Sequence, residues 1–421
     1  MRIMIDKKQL DILNKDVNLN TSYPLSPNDW AKYKIKNYDI FNNINKFSMY
    51  IHIPFCKHLC KFCEYSKCKK QENKNEDFVI DTIINDIKNF KKPKLLYGFD
   101  IGGGTPTCLS DENFKKIIDV ADEIIKTCSK PENFIASIEG TFDTLSDSKI
   151  EILKNSQFKR ISLGIQVFKE SFLKENGRTP QIDLIKSVIK KINKDFIVNI
   201  DLMYGLNNIT KKDLEETIKF VNSLNIHQIT LYEMRYNMVD SYCNKDKDEI
   251  ISEYDFCFDK ITNFGYKGRY GRNTFTKTND EGVSSYLYYR MEGYFYKGFG
   301  PSAQSMTSKG ITYNSFKNSG KNSKEIDINN LLSVNTYEVG DTYKLPKKEL
   351  FAKAICISLY QCKINASNIK KNYNIDILKT KKDILKNLLE EDLIKIKEYN
   401  IYITKKGYKY YSVIGYLLYT N

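Results

Sequence analysis

Three cysteines close together in the chain constrain this sequence more than any other feature. Cys56, Cys60 and Cys63 have the spacing C-x3-C-x2-C within YIHIPFCKHLCKFC, and they follow an apolar, β-branched run that predicts a strand. Thiolates on a loop this short can converge on one iron–sulfur cluster. Three of them leave one iron of a four-iron cluster without a protein ligand, whereas electron-transfer clusters normally have four cysteines. The alternatives are buried structural thiols or a zinc site whose fourth ligand would be Cys68 or His58.

The composition predicts a globular chain without a membrane span or a nucleic-acid partner. Of 421 residues, 41% are apolar, which is enough for a sizeable core. The net charge of +14 comes from lysines spread along the chain, so an anionic small substrate accounts for it better than nucleic acid does. No apolar run reaches the length of a membrane span, and the amino-terminal sequence MRIMIDKKQLDILNK lacks the apolar core of a signal peptide. We therefore expect a cytoplasmic protein whose ten cysteines stay reduced.

From residue 48 to about residue 235, short apolar runs alternate with amphipathic segments, which predicts an α/β fold with parallel strands and crossover helices. The predicted strands are Met49–Ile53, Leu96–Ile101, Phe134–Ile138, Arg160–Gln166, Phe196–Asp201 and Gln228–Tyr232. Six such units suit a barrel or a curved open sheet, and a doubly wound sheet would give the same pattern. In each of these folds, functional residues collect at the carboxyl ends of the strands.

The remaining pattern divides the chain into four segments. They are an N-terminal arm at 1–47, a main domain at 48–310, a polar linker at 311–345 and a C-terminal domain at 346–421. Late in the main domain, the pattern predicts a helix at Asp248–Phe264 and aromatic-rich strands around Tyr266–Phe275 and Tyr286–Tyr296. In the C-terminal domain, helices at Glu349–Tyr360 and Asp376–Glu391 precede a small hairpin.

The cysteine motif resembles the signature of radical SAM enzymes, in the HemN-like branch of oxygen-independent coproporphyrinogen III dehydrogenases, heme chaperones and class C radical SAM methyltransferases. The resemblance implies a partial (β/α)6 TIM-like barrel with a small winged-helix-like C-terminal domain. It also implies a 4Fe-4S cluster held by Cys56, Cys60 and Cys63, with S-adenosylmethionine (SAM) on the open iron. An electron, from a reductant of the flavodoxin or ferredoxin type, then cleaves SAM to a 5′-deoxyadenosyl radical. Tyr50 and Phe62 match the positions that line the cluster region.

Further motifs at the predicted strand ends match the positions that bind SAM in this family. They are Gly103, Gly104 and Thr105 of GGGTP, Glu139 of SIEG, Gln166 of RISLGIQVF, Arg178 of GR and Asp201 of DLMYGL. Without the resemblance, the glycines would be read as a turn, Glu139 as a solvated helix cap and Arg178 as a surface residue. With it, the glycine backbone and Glu139 are expected to meet SAM, and Arg178 its carboxylate.

Three positions depart from the family pattern. Gly140-Thr141-Phe142 follows Glu139 in place of Ala/Cys-Asn-Pro, Asn207-Asn208 stands in place of Pro-Gly, and Gln304 in place of histidine. The shapes of these loops are therefore not implied by the resemblance.

The expected reaction follows from one further position and from the histidine count. Tyr65 stands where coproporphyrinogen dehydrogenases carry another cysteine, and only His52, His58 and His227 are present for heme ligation. These features favour a radical methyltransferase or heme-modifying enzyme that binds one or two SAM molecules and modifies an sp² carbon of a small tetrapyrrole or aromatic substrate. The alternatives are a coproporphyrinogen III dehydrogenase and a non-catalytic heme chaperone. No catalytic residue is assigned.

Overall fold

A computed structural model gives the fold of residues 7–16, 27–71, 76–178, 181–234, 245–315, 326, 328–332, 337 and 340–420, which we call the described residues. Residues 17–26 of the predicted arm and 316–325 of the predicted linker lie outside them. The domain limits given above remain a prediction.

Six parallel strands form the centre of the fold. A helix α1 (Lys7–Asp16), a 3₁₀ segment (Pro27–Tyr33) and a short strand β1 (Lys34–Ile35) come before them. The parallel sheet and its connections are built, in chain order, by β2 (Lys46–Ile53), β3 (Phe55–Cys56), β4 (Cys68–Lys69), α2 (Glu76–Asn89), β5 (Leu95–Gly103), α3 (Asp111–Thr127), β6 (Ala136–Gly140), α4 (Asp147–Lys154), β7 (Phe158–Gln166), α5 (Glu170–Glu175), α6 (Ile182–Ile192), β8 (Ile197–Tyr204), α7 (Lys211–Ser223) and β9 (Gln228–Glu233). Neighbours in the series β2, β5, β6, β7, β8 and β9 pair in parallel, which confirms the predicted α/β fold.

Further strands extend this sheet at both edges. The elements that follow are α8 (Lys247–Asn263), β10 (Thr274–Thr276), α9 (Ser285–Met291), β11 (Tyr296–Phe299), β12 (Gln304–Thr307), β13 (Gly310–Tyr313), α10 (Ile328–Leu332) and β14 (Asp341–Tyr343). Strand β10 pairs antiparallel with β9, whereas β11 pairs parallel with β2 and leads on through β12, β13, β14 and β1. Within the described residues the sheet has twelve strands and two free edges, as expected of a partial barrel.

The C-terminal part is a small unit of helices with its own sheet. It contains α11 (Lys347–Leu359), β15 (Lys363–Asn365), α12 (Ala366–Tyr373), α13 (Ile377–Thr380), α14 (Lys382–Glu390), β16 (Ile394–Lys397), β17 (Asn400–Ile403), α15 (Lys405–Tyr408) and α16 (Tyr411–Thr420), with β15, β17 and β16 antiparallel. The buried carboxylate of Glu292 fastens this unit to the barrel, because Lys363 Nζ donates to it at 2.6 Å and Asn365 Nδ2 at 2.7 Å. Among the described helices, none has both the length and the apolar character that a membrane crossing requires.

Side-chain caps determine where the crossover helices begin. The Ser110 hydroxyl accepts the N–H of Asn113 at 3.2 Å at the start of α3, and Thr210 with Asp213 forms a capping box at the start of α7. Because each helix begins shortly after its strand ends, the loops between them gather at the carboxyl edge of the sheet.

Three predictions about elements are corrected by the structure. Of the predicted strand around Tyr266–Phe275, only Thr274 and Phe275 belong to a strand, β10. The aromatic-rich segment Tyr286–Tyr296 is not a strand, because α9 occupies most of it and only Tyr296 begins β11. The Ser284 hydroxyl caps α9, and the missing side chain of Gly98 lets the backbone of Tyr286 lie against β5. Within the segment predicted as a linker, β13 and β14 belong to the main sheet, where their backbone groups continue the ladder.

Candidate functional site

A cavity of about 180 Å³ lies at the carboxyl ends of the parallel strands. Its wall brings together the cysteine loop (Cys56–Cys63), the glycine-rich loop (Gly102–Thr105) and polar residues from the later strands. The residues predicted to bind the cluster or SAM that line it are Cys56, Cys60, Phe62, Cys63, Gly103, Gly104, Thr105, Glu139, Gln166, Arg178 and Asp201. Their roles stay predictions, but all eleven reach one cavity because parallel strands end at the same edge of the sheet.

The cysteine loop begins at β3 and folds back on it. Cys56 and Cys60 are buried and Cys63 is half-buried. The N–H of Cys68 donates to the carbonyl of Pro54 at 2.8 Å, which pairs β3 with β4 and closes the loop. Cys68 is buried in β4 and is not among the residues that line the cavity.

The chemistry of this donor set fits a cluster better than a single metal ion. Burial raises the pKa of Cys56 to about 12 and also raises that of Cys63, so these thiols ionise readily only beside a strongly cationic centre. Within the described residues, no three histidine, cysteine or acidic side chains lie close enough to hold one metal ion. Zinc requires such convergence, whereas the cysteines of a four-iron cluster bind different irons.

The glycine-rich loop lets backbone pass directly behind the cysteines. Gly103 has φ +107°, and a Cβ there would lie 2.5 Å from the His52 ring. At Gly104 a Cβ would lie 2.5 Å from the Phe55 carbonyl and 3.0 Å from Cys56 Sγ. Side chains at either position would force the loop away from the cavity, so the glycines serve close approach.

Glu139 and Asp201 form the acidic part of the wall. Glu139 faces the cavity with an exposed side chain, and the enclosing wall and the neighbouring charge of Asp201 raise its pKa to about 8. Burial raises the pKa of Asp201 to about 6, although it accepts hydrogen bonds from Ser162 Oγ at 3.0 Å and Asn199 Nδ2 at 2.8 Å. Arg160, buried beneath them, opposes the shift at both carboxyls. A cationic ligand in this cavity would therefore be matched by carboxylates that are costly to ionise without it.

Gln166 and Arg178 meet at the end of β7. Gln166 has φ +68°, and the pairing of β7 with β8 shifts register between Gly164 and Gln166. Such backbone strain is found where a side chain must be aimed at a site. Arg178 Nη1 donates to the carbonyl of Gly164 at 3.1 Å, which holds the guanidinium at the cavity wall.

The two aromatic residues predicted near the cluster have different positions. Phe62 lines the cavity and stacks on Phe172, with ring centroids 5.6 Å apart. Tyr50 is not among the lining residues, since its ring stacks on Tyr286 and its hydroxyl lies 3.3 Å from His52 Nδ1. Tyr50 thus supports the barrel wall behind the site.

Several lining residues were not predicted from the sequence. Ser162, Met203 and Met234 lie on or just after strands, Lys67 follows the cysteine loop, and Tyr360 comes from the end of α11 in the C-terminal unit. The position of Lys67, four residues after Cys63, could have indicated that it lies near the cysteines. Nothing in the sequence around Tyr360 indicates that it reaches the cavity. The departures Asn207, Asn208 and Gln304 do not line this cavity.

The comparisons with known proteins agree with this geometry. The model of the Radical SAM superfamily matches residues 50–221, which contain the cysteine loop and most of the cavity wall. Over these residues the chain is similar to the radical SAM superfamily, and its relatives lie in the HemN-like branch.

Relatives within the branch differ in what their names say. The heme chaperone HemW of Bacillus subtilis is 28% identical over 375 residues, which cover 86% of this chain and 96% of that protein. The anaerobic coproporphyrinogen III oxidase 1 of Cereibacter sphaeroides is 26% identical over 236 residues, about half of each chain (53% and 51%). The structure of coproporphyrinogen III oxidase HemN from Escherichia coli superimposes with a TM-score of 0.71 over 93% of this chain and 95% of that chain, at 18% identity. That likeness confirms the radical SAM fold across the N-terminal barrel and the C-terminal unit.

Proposed function

We propose that this protein holds a 4Fe-4S cluster on Cys56, Cys60 and Cys63, binds and reductively cleaves SAM beside it, and handles heme in the manner of HemW. The observation that carries the proposal is the placement of three cysteines, a backbone loop and two carboxylates on one cavity wall. The bound cluster would supply the electron that breaks the SAM sulfonium, and a flavodoxin- or ferredoxin-type protein would supply that electron to it.

The residues of this chain would bind and orient SAM. The loop Gly103–Thr105 presents backbone to the cavity, and Glu139 offers an acceptor to the ligand's amino group. Arg178 is suited to a carboxylate and Asp201 to ribose hydroxyls. Phe62 stacks on Phe172 and gives the cavity wall beside the cysteines an apolar surface.

The part of the cavity contributed by the later strands and the C-terminal unit suits a planar aromatic ligand. Met203, Tyr232 and Met234 come from the later strands, Tyr360 comes from the C-terminal unit, and Tyr65 joins the same cavity from the segment after Cys63. Aromatic and thioether side chains pack well on conjugated rings, and methionine and tyrosine are also known axial ligands of heme iron. A tetrapyrrole agrees with the names of both groups of relatives.

The histidines limit how heme could be held. Both nitrogens of His52 have partners, Tyr50 Oη and the Ser66 carbonyl, and His227 Nδ1 accepts the N–H of Val198 at the start of the strands. Only His58 lines the cavity. An axial histidine in this cavity would therefore have to be His58.

Among the three predicted functions, we favour heme handling over decarboxylation and methyl transfer; the sequence predicts the heme chaperone as non-catalytic, and we add SAM cleavage to that role. The similarity to the HemW of Bacillus subtilis covers 96% of that protein. Tyr65 stands at the position where coproporphyrinogen dehydrogenases of the same branch have a cysteine. No relative described above is named as a methyltransferase, so the methyl transfer predicted from the sequence has no support from them.

One set of assays separates these functions. Anaerobically reconstituted protein is given SAM and dithionite, and then either hemin or coproporphyrinogen III. We expect 5′-deoxyadenosine to form, hemin to bind with one equivalent per chain, and coproporphyrinogen III to remain intact. Cys56→Ala should abolish SAM cleavage but keep hemin binding. Decarboxylated product would show a dehydrogenase, S-adenosylhomocysteine would show a methyltransferase, and absence of both SAM cleavage and hemin binding would overturn the proposal.

A further inference from the structure

Lys67 is a buried lysine beside the cysteine loop. Its exposed fraction is 7%, and it lines the same cavity as Cys56, Cys60 and Cys63. Its Nζ donates to the carbonyl of Cys63 at 2.8 Å. Lysine is rarely buried this far unless its charge has a partner.

The two lysines within the cysteine loop, Lys57 and Lys61, differ from Lys67 in both exposure and pairing. The side chain of Lys57 is 53% exposed and its Nζ lies 3.0 Å from Asp143 Oδ2. The side chain of Lys61 is 59% exposed and its Nζ lies 3.7 Å from Glu175 Oε1. Within the described residues, Lys67 has no carboxylate in ion-pair contact, and its bonded acceptor is a neutral carbonyl. Its positive charge is therefore weakly screened by solvent, although the half-buried Glu64 adds a negative charge to the same cavity wall.

The charge of Lys67 acts on the sulfur ligands. Lys67 Nζ lies 2.8 Å from the carbonyl of Cys63, and Lys67 lines the wall that Cys56, Cys60 and Cys63 share. A buried positive charge at this position favours added negative charge on any centre that those cysteines hold. The potential of an iron–sulfur cluster responds to nearby charge, to hydrogen bonds at sulfur and to solvent exposure.

We infer that Lys67 raises the reduction potential of the cluster, and so makes one-electron reduction of the cluster by an external donor easier. The inference rests on the proposed cluster and goes beyond it by assigning a role to a residue that is not a ligand. Lys67 acts only through its positive charge: it forms no bond to the cluster and takes up no electron. Loss of its charge should disfavour the reduced cluster and leave the cysteine ligands in place.

The test is a redox titration of the full chain loaded with iron and sulfide, without SAM, with titanium(III) citrate as reductant and the EPR signal of the reduced cluster as readout. Lys67→Gln and Lys67→Met should each lower the midpoint potential by about 59 mV, which is a tenfold change in the reduction equilibrium for one electron. Lys67→Arg keeps the charge and should keep the potential near that of the parent. Lys61→Gln, the matched control at an exposed and paired lysine, should leave it unchanged.

One result would overturn the inference: an unchanged midpoint potential in both neutral variants with full iron content. If a separate SAM titration of those variants then shows weakened binding, Lys67 would be a ligand-binding residue only. A parent protein that assembles no four-iron cluster would instead overturn the proposed function, and the inference with it.

Discussion

The backbone N–H of Gly103 donates a hydrogen bond to Oε2 of Glu139 at 3.2 Å. The contact links the ends of β5 and β6, beyond the last paired residues of those strands, Ile101 and Ile138. It holds the Glu139 carboxylate against the glycine-rich loop and leaves its remaining lone pairs toward the cavity. A ligand amino group arriving there would find an acceptor that is already oriented.

Replacement of Glu139 tests this arrangement through pH. With a pKa of about 8, Glu139 is largely protonated at neutral pH in the free protein, so the affinity for cationic SAM should rise as pH rises through that value. The gain should be about tenfold, since a hydrogen bond to a charged group contributes about 1.5–3 kcal/mol. Calorimetric titration of cluster-loaded protein across this range measures it. Glu139→Gln should bind weakly with a flat profile, and an unaltered profile in that variant would rule out the assignment.

The same carboxyl should affect stability in the opposite direction. The enclosing cavity wall and the charge of Asp201 raise the pKa of Glu139, whose side chain is exposed in the cavity, from 4.5 to about 8, so the folded protein binds more protons than the unfolded chain between these values. Stability of the metal-free, SAM-free protein should therefore fall as pH rises across that window. Thermal unfolding of the parent and of Glu139→Gln gives the comparison, and the variant should show a smaller fall. Equal slopes would mean that Glu139 has an ordinary pKa.

Many features of the site follow from local sequence, because parallel strands end at one edge. The cysteine loop after β2, the glycines after β5, Glu139 on β6 and Gln166 on β7 reach one cavity for that reason. Tyr360 could not be predicted, since its place depends on how the C-terminal unit packs on the barrel. The sequence predicts a strand where helix α9 lies, because segments rich in aromatic residues are typical of strands. In the structure α9 instead packs on both β5 of the barrel and α11 of the C-terminal unit.

Substitution of cysteines should distinguish the cluster ligands from a nearby thiol. Cys56→Ala, Cys60→Ala and Cys63→Ala each remove a ligand and should reduce 5′-deoxyadenosine formation by more than about a hundredfold. Cys68→Ala is the matched control, since Cys68 is equally buried but does not line the cavity. It should keep both iron content and SAM cleavage. Loss of iron in Cys68→Ala would make Cys68 a fourth ligand of the cluster and would contradict a three-cysteine site.

Tyr360 should affect the tetrapyrrole and not SAM. It is the lining residue that α11 of the C-terminal unit contributes, beside Tyr232. Tyr360→Ala removes aromatic packing of about 1–2 kcal/mol and should weaken hemin binding about tenfold, as followed by absorbance titration. SAM cleavage without hemin should be unchanged. The control is Tyr399→Ala, at an exposed tyrosine of the same unit, and an equal effect there would contradict a specific role.

Glu292 should matter for the attachment of the C-terminal unit. Its carboxylate is 5% exposed and accepts hydrogen bonds from Lys363 and Asn365. Glu292→Ala leaves the Lys363 ammonium without its partner and should lower the free energy of unfolding by about 3 kcal/mol. Urea unfolding measures the change. Lys386→Ala, at an exposed ion pair with Glu390 on α14, should cost less than about 1 kcal/mol.

The most direct test of the whole account is the EPR spectrum of anaerobically reconstituted, dithionite-reduced protein before and after addition of SAM. We predict the signal of a reduced four-iron cluster whose g values shift when SAM binds, because an iron without a cysteine is free to take the ligand. A spectrum without a four-iron signal, or one that SAM leaves unchanged, would contradict the assignment of Cys56, Cys60 and Cys63 as a three-cysteine cluster site.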